Sequence, residues 1–165
     1  MIVLRHALAI LLLPIVVVAV VPYWLLTMWP DIDTRWGSVS TLAWLPRSAG
    51  VAFLGGGLAL FSWCVALFAR VGQGTLAPWD PTQKLVAVGP YRYVRNPMIS
   101  AVAAMLAGLA LLWGSCLVGL WASLFVLVNH VYFVLSEEPG LEQRFGESYR
   151  VYKASVPRWL PRWKP

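Results

Sequence analysis

Charge is what this 165-residue sequence has least of: 12% of it is Asp, Glu, Lys or Arg, against 59% hydrophobic residues. So few charges do not clothe a water-soluble core, which excludes an ordinary soluble globular domain. Cysteine is almost absent as well. Cys64 and Cys116 both lie in or beside apolar runs, so neither a disulfide framework nor a zinc site is expected and both thiols read as packing residues. A GxGxxG after a strand, a Walker loop, a nucleophile elbow and an HExxH pair are all missing. Their absence sets aside soluble-type nucleotide folds, P-loop chemistry, serine hydrolases and zincins. Acids are scarcer than bases, 7 against 13, a surplus that beside apolar runs suits anionic lipid better than nucleic acid.

Long apolar runs are what is present. They predict membrane spans at about residues 7–28, 50–68, 98–113 and 116–135. The first run is longer than the hydrophobic region of a signal peptide and has no clear small-residue cleavage site, so it is expected in the mature protein. Pro14 is expected to kink it, and Trp24 and Trp29 to mark an aromatic belt. Gly55, Gly56 and Gly57 predict a close helix approach in the second span, or simple flexibility. The third span is short for a crossing, so it is buried in the bundle or thins the bilayer. Gly114 and Ser115 turn it into the fourth.

Beyond Glu137, Glu138, Pro139 and Gly140, the residues Leu141, Phe145, Tyr149, Tyr152 and Val156 recur at helical spacing. That pattern predicts one interfacial amphipathic helix, followed by a tail, VPRWLPRWKP, that anchors at headgroup level. The expected fold is an all-α integral membrane protein: a four-helix transmembrane bundle with a C-terminal interfacial amphipathic helix, one domain over residues 1–165.

Four crossings put both termini on one side. Arg5, Arg70, Lys84, Arg92, Arg95, Arg144, Arg150, Lys153, Arg158, Arg162 and Lys164 then share that side, with only Arg35 and Arg47 opposite. The bias predicts cytoplasmic termini, and it brings the loop before the third span to the same face as the C-terminal segment.

That loop ends in GPYRYVRNPMIS. Pro97 suits a first helical turn and Asn96 a cap. Arg92 and Arg95 therefore stand at a helix N-terminus, where free amides, the helix dipole and guanidinium groups converge on an anion, either a carboxylate-bearing cofactor or a lipid phosphate. Glu137 and Glu138 fall at the end of the fourth span, where negative charge opposes the dipole; the alternatives are a solvated helix end or compensation by Arg92, Arg95, Arg158 or a cationic ligand. Asn129 and His130 are polar residues deep in that span. His130, seven positions before Glu137, is either functional or a neutral imidazole bonded to a neighbouring helix. Tyr91, Tyr93, Tyr149 and Tyr152 either wall an adenine or anchor the interface.

GPYRYVRNPM, a helical hairpin and then EEPGLEQRFGESYRVYKASVPRW together resemble the isoprenylcysteine carboxyl methyltransferase and phospholipid methyltransferase superfamily of small membrane enzymes. The resemblance covers residues 72–158, and the N-terminal half adds only hydropathy. It implies S-adenosylmethionine as methyl donor, a lipophilic acceptor entering sideways from the membrane, no metal, and residence in a bacterial inner membrane. The superfamily's Arg-His-Pro falls on Arg95, Asn96 and Pro97, with Asn in place of His as in bacterial members. Its paired acids fall on Glu137 and Glu138, and its Phe-Gly-x-x-Tyr-x-x-Tyr on Phe145, Gly146, Tyr149 and Tyr152; Gly72 and Gly74 match its glycine pair. The implied catalytic residues are Arg95, Asn96 and Glu138. The implied cofactor-binding set is Tyr91, Arg92, Arg95, Asn96, Pro97, His130, Glu137, Glu138, Tyr149 and Arg158. Two other readings stand beside this one: a sterol-type membrane reductase using NADPH, and a non-catalytic membrane scaffold or ligand binder.

Overall fold

The structure, a computed structural model, describes residues 14–36, 43–72 and 83–163. The start of the first span with Arg5, and also Gly74 and Lys164, lie outside the described residues. Among those described there is no strand, only an isolated bridge between Arg35 and Ser115. The helices are α1 (Val21–Met28), α2 (Trp44–Leu67), α3 (Pro97–Trp113), α4 (Cys116–Tyr132), α5 (Glu138–Phe145) and α6 (Glu147–Ser155). Two continuous helical stretches, Trp44–Gly72 and Cys116–Phe145, are long and apolar enough to cross a membrane, while Val16–Met28 and Pro97–Trp113 are apolar but shorter.

Two prolines shape this framework in the same way. Pro22 and Pro139 each sit at the second position of a helix, and each follows a wide π turn, Val16–Val20 and Phe133–Glu137. A proline ring collides with the carbonyl four residues back and offers it no N–H, so a wider turn just before the ring relieves the clash. At the first of these turns the amide of Val21 reaches back to Val16, and the carbonyl of Val17, passed over, accepts from Trp121 Nε1 at 3.0 Å. That bond ties the first helical stretch to α4.

The α2–α3 pair is the most extensive packing in the fold, and glycine makes it close. A Cβ on Gly50 would stand 2.7 Å from the Gly108 carbonyl, one on Gly108 2.7 Å from that of Gly50, and one on Gly57 2.7 Å from that of Ala101. Gly50 and Gly57, seven residues apart, share one helical face. Gly55 and Gly56, expected to serve the same purpose, have nothing within 4 Å of a built Cβ. The core beneath the contact holds Phe61, Cys64, Tyr91, Met98, Met105 and Leu106.

The chain turns sharply from α3 into α4. Gly114 adopts φ +61°, and a Cβ there would run into the Trp36 carbonyl. Ser115 caps α4 by accepting from the Val118 amide and is itself held by the buried Asp33, whose Oδ1 accepts from Ser115 Oγ at 2.9 Å and from the Leu117 amide at 3.1 Å. The segment before α2 thus carries a capping carboxylate where the sequence showed no motif.

The C-terminal amphipathic helix is not one helix. Gly146, at φ +54°, stops α5 and restarts the chain as α6. The break leaves Tyr149 buried and brings the Tyr152 hydroxyl to the Tyr91 carbonyl, to which it donates at 2.7 Å.

Candidate functional site

The site forms where the turn before α3 meets the junction of α4 and α5 and the chain after α6. Gly89 opens that turn at φ +58°, with Leu67 Cδ1 2.9 Å from where a Cβ would lie, so the loop presses onto the end of α2. Pro97 opens α3 as the sequence predicted. Asn96 occupies the cap position, but its side chain makes no capping hydrogen bond; its carbonyl accepts from Ser100 Oγ at 3.0 Å instead. Arg95 is locked from both ends. Its amide donates to Pro157 at 2.9 Å, and its Nη1 donates to Glu138 Oε1 at 2.9 Å.

Glu138 gathers three cations. Oε1 also accepts from Arg158 Nε at 2.7 Å, and Oε2 faces Lys153 Nζ at 3.4 Å. The carboxylate side chain is 7% exposed and that of Arg95 12%, so this pair is largely withdrawn from solvent. Hydrogen bonding to Glu138 pushes the Arg158 guanidinium pKa further up, which keeps it charged. Burial pushes the Tyr149 and Tyr152 phenols up, so both stay neutral beside the charges. Lys153 is shared with Glu142, whose Oε2 lies 3.6 Å from Nζ, so two guanidinium groups, Arg95 and Arg158, answer to Glu138 alone among the described residues, and Arg95 Nε is buried without a hydrogen-bond partner. A donor set of this kind receives a further carboxylate or phosphate readily.

The wide turn before Pro139 decides which glutamate is buried. One residue more in that turn shifts the register of the helix, so the face of His130 passes to Glu138 and not to Glu137. Glu137, expected on that face, is half-buried and makes no ion pair among the described residues. Neither glutamate ends a helix, because α5 continues directly from the turn; Glu138 stands in its first turn, where the dipole favours negative charge. The expected conflict with a helix C-terminus does not arise.

His130 is bonded to the tail rather than to a neighbouring helix. Its Nδ1 accepts from Trp159 Nε1 at 3.0 Å, and the Trp159 ring also lies against Phe133 at 6.0 Å between centroids. Tyr91 is buried in the core, its ring 5.6 Å from that of Phe68, and its carbonyl accepts from the Tyr152 hydroxyl. Arg92 is exposed; its carbonyl accepts from Arg162 Nε at 2.7 Å. Arg162 also donates to the Ser155 carbonyl at 2.7 Å, and its amide to Tyr93 at 3.1 Å. Lys153, Trp159 and Arg162 thus belong to the constellation without having been singled out. For Trp159 and Arg162 the only signal was the alternation of aromatic and basic residues in the tail, which also describes any interfacial anchor, and Lys153 stood out only as one more basic residue of the amphipathic segment. No group of three metal-ligating side chains occurs among the described residues.

A helical, membrane-type framework with a cationic site at one end of the bundle is the class these observations define. The phospholipid methyltransferase family model matches residues 46–148. The chain belongs to the phospholipid methyltransferase family. It is similar to an uncharacterized protein of Haemophilus influenzae, 44% identical over 50 residues that make up 30% of this chain and 79% of that protein. No solved structure matches it.

Proposed function

We propose that the chain is an S-adenosylmethionine-dependent methyltransferase acting on a lipophilic acceptor at the cytoplasmic face of a bacterial inner membrane. In this reading residues 1–165 form one domain of four crossings with both termini cytoplasmic, and residues 72–158 hold the cofactor. When bound, S-adenosylmethionine supplies an electrophilic methyl group for in-line displacement, chemistry that asks the protein for alignment and a dry site rather than for a nucleophile or a metal.

The observation that carries the reading is the pair of guanidinium groups gathered on the one buried carboxylate of Glu138, with Arg95 Nε still unpartnered. Arg95 and Arg158 hold the cofactor carboxylate, and Glu138 positions both guanidinium groups. Glu137, adjacent and without an ion pair among the described residues, takes the ribose hydroxyls or the ammonium. Tyr149 and Tyr152 stay neutral and wall the site, while Asn96 and Pro97 start α3 beside it. His130 positions the tail through Trp159. The chain from residue 156 to 162, bonded to Arg92, Tyr93 and Arg95, excludes water.

One observation favours a purely structural role: both Glu138 oxygens are already engaged by cations. Isothermal titration of the detergent-solubilised protein with S-adenosylhomocysteine separates the two. Binding to the wild-type protein, weakened about tenfold in an Arg158→Gln protein that still unfolds in one cooperative transition, is the expected result, as for loss of one charge-assisted bond. No heat of binding in the wild-type protein overturns the reading.

A further inference from the structure

The opposite end of the bundle carries a second cationic feature. The end of α3, the start of α2 and the chain before it enclose a cavity of about 220 Å³, lined by Arg35, Trp36, Arg47, Leu112, Trp113 and Gly114 among others. At roughly 30 Å³ per water this is room for several waters, hence for a compact headgroup. It lies a whole α3 away from Arg95: seventeen residues separate Pro97 from Trp113 inclusive, about 25 Å at 1.5 Å per residue.

Its chemistry is that of an anion site. Both charged residues of its lining are arginines. Arg35 is held in place by the buried Asp33, whose Oδ2 accepts from its Nε at 3.2 Å, and by the Leu26 carbonyl, which accepts from its Nη2 at 3.4 Å, so among the described residues Arg47 is the cation of the lining without a counterion. Arg47 is exposed and has no side-chain partner among the described residues. Ala43, at the cap position of α2, lines the cavity and makes no side-chain cap hydrogen bond. The carbonyl end of α3 also lies there, and two of its carbonyls are already bonded: Ala110 accepts from the Gly114 amide, and Gly114 from the Trp36 amide at 2.8 Å.

The rim says what carries the anion. Of the lining residues, Trp36 and Trp113 are exposed, and Trp44 and Leu45, next in the chain to the lining residue Ala43, are exposed as well; indole rings of this kind settle at the boundary between hydrocarbon and headgroups. An inorganic ion has no use for such a rim, whereas a lipid fills cavity and rim together. We propose that this cavity binds the phosphodiester headgroup of a phospholipid in the leaflet opposite the Arg95 site, with Arg35 and Arg47 on the phosphate and the tryptophans against the acyl chains.

Native mass spectrometry of the full chain released from detergent tests this, with phosphatidylglycerol, diacylglycerol and glycerol phosphate as probes. The wild-type protein is expected to retain phosphatidylglycerol, and Arg47→Gln to retain it about tenfold less, as for loss of one charge-assisted bond. Arg150→Gln removes the same charge at the other end and is expected to leave retention unchanged. Equal retention by Arg47→Gln and the wild-type protein overturns the proposal, as does an equal loss in Arg150→Gln. Diacylglycerol held as tightly as phosphatidylglycerol reduces the site to an apolar groove, and glycerol phosphate held as tightly reduces it to a free-phosphate site; either overturns the assignment to a lipid. S-adenosylhomocysteine binding by Arg47→Gln reports on the other end of the bundle and is expected to match the wild-type value.

Discussion

Arg95 Nη1 and Glu138 Oε1 stand 2.9 Å apart across 43 residues of sequence, and the same oxygen holds Arg158 Nε at 2.7 Å. One carboxylate therefore ties the loop before α3 to the chain after α6. Glu138→Gln leaves Arg95, Arg158 and Lys153 without their shared counterion and is expected to cost about 3 kcal/mol, as for a broken buried pair. Arg95→Gln leaves Glu138 two cations and is expected to cost less, about 1 to 2 kcal/mol. Thermal unfolding in detergent, followed by circular dichroism, reads the order; a larger loss in Arg95→Gln contradicts the shared role of Glu138.

Arg162 fastens the tail through its bonds to the Arg92 and Ser155 carbonyls, both at 2.7 Å. Arg162→Ala is expected to speed exchange of the Arg95 amide, which donates to Pro157, by about tenfold, because local opening then no longer breaks those bonds. Hydrogen exchange followed by mass spectrometry over residues 93–95 measures it. Unchanged exchange there means that the Arg158–Glu138 pair and the Trp159–His130 bond hold the tail without Arg162.

Gly108→Ala places a methyl 2.7 Å from the Gly50 carbonyl and 2.8 Å from the Leu54 amide, both backbone atoms of α2. Separating the two helices is expected to cost about 1 to 3 kcal/mol. Gly56→Ala meets nothing within 4 Å and is expected to stabilise α2 by up to about 1 kcal/mol through helix propensity. Opposite shifts in melting temperature confirm that α3 packs on the Gly50–Gly57 face.

Asp33→Ala removes the acceptor of Ser115 Oγ, the Leu117 amide and Arg35 Nε together. The cost is expected to be about 2 to 3 kcal/mol, since buried donors are left unsatisfied. Ser115→Ala, which takes away one bond and its own hydroxyl, is expected to cost about 1 kcal/mol. Chemical denaturation of the two variants gives the comparison, and equal losses exclude Asp33 as the organiser of that turn.

The membrane character of the chain and the positions of α3 and α4 were legible because hydropathy and proline act locally. Helix α3 begins at Pro97 because that residue cannot donate upstream, and α4 follows the Gly114–Ser115 turn as expected. The chain after Glu137 was harder. Leu141, Phe145, Tyr149, Tyr152 and Val156 keep helical spacing, but periodicity does not register one residue at positive φ, so Gly146 went unnoticed as a break. Gly55 and Gly56 looked equivalent to Gly57 because sequence shows the missing side chain and not the neighbour that needs it.

By itself, then, the sequence determined that the chain is helical and lipid-compatible, and that arginine and glutamate stand at the ends of its apolar runs. These follow from composition and from the period of each segment. Tertiary structure alone decided that Glu138 and not Glu137 meets Arg95, that His130 serves Trp159, and that Asp33 caps α4 from 82 residues before Ser115. The reason is geometric: a single wide turn shifts a helical face by a residue, and contacts between distant segments depend on the path of the whole backbone, which no local pattern encodes.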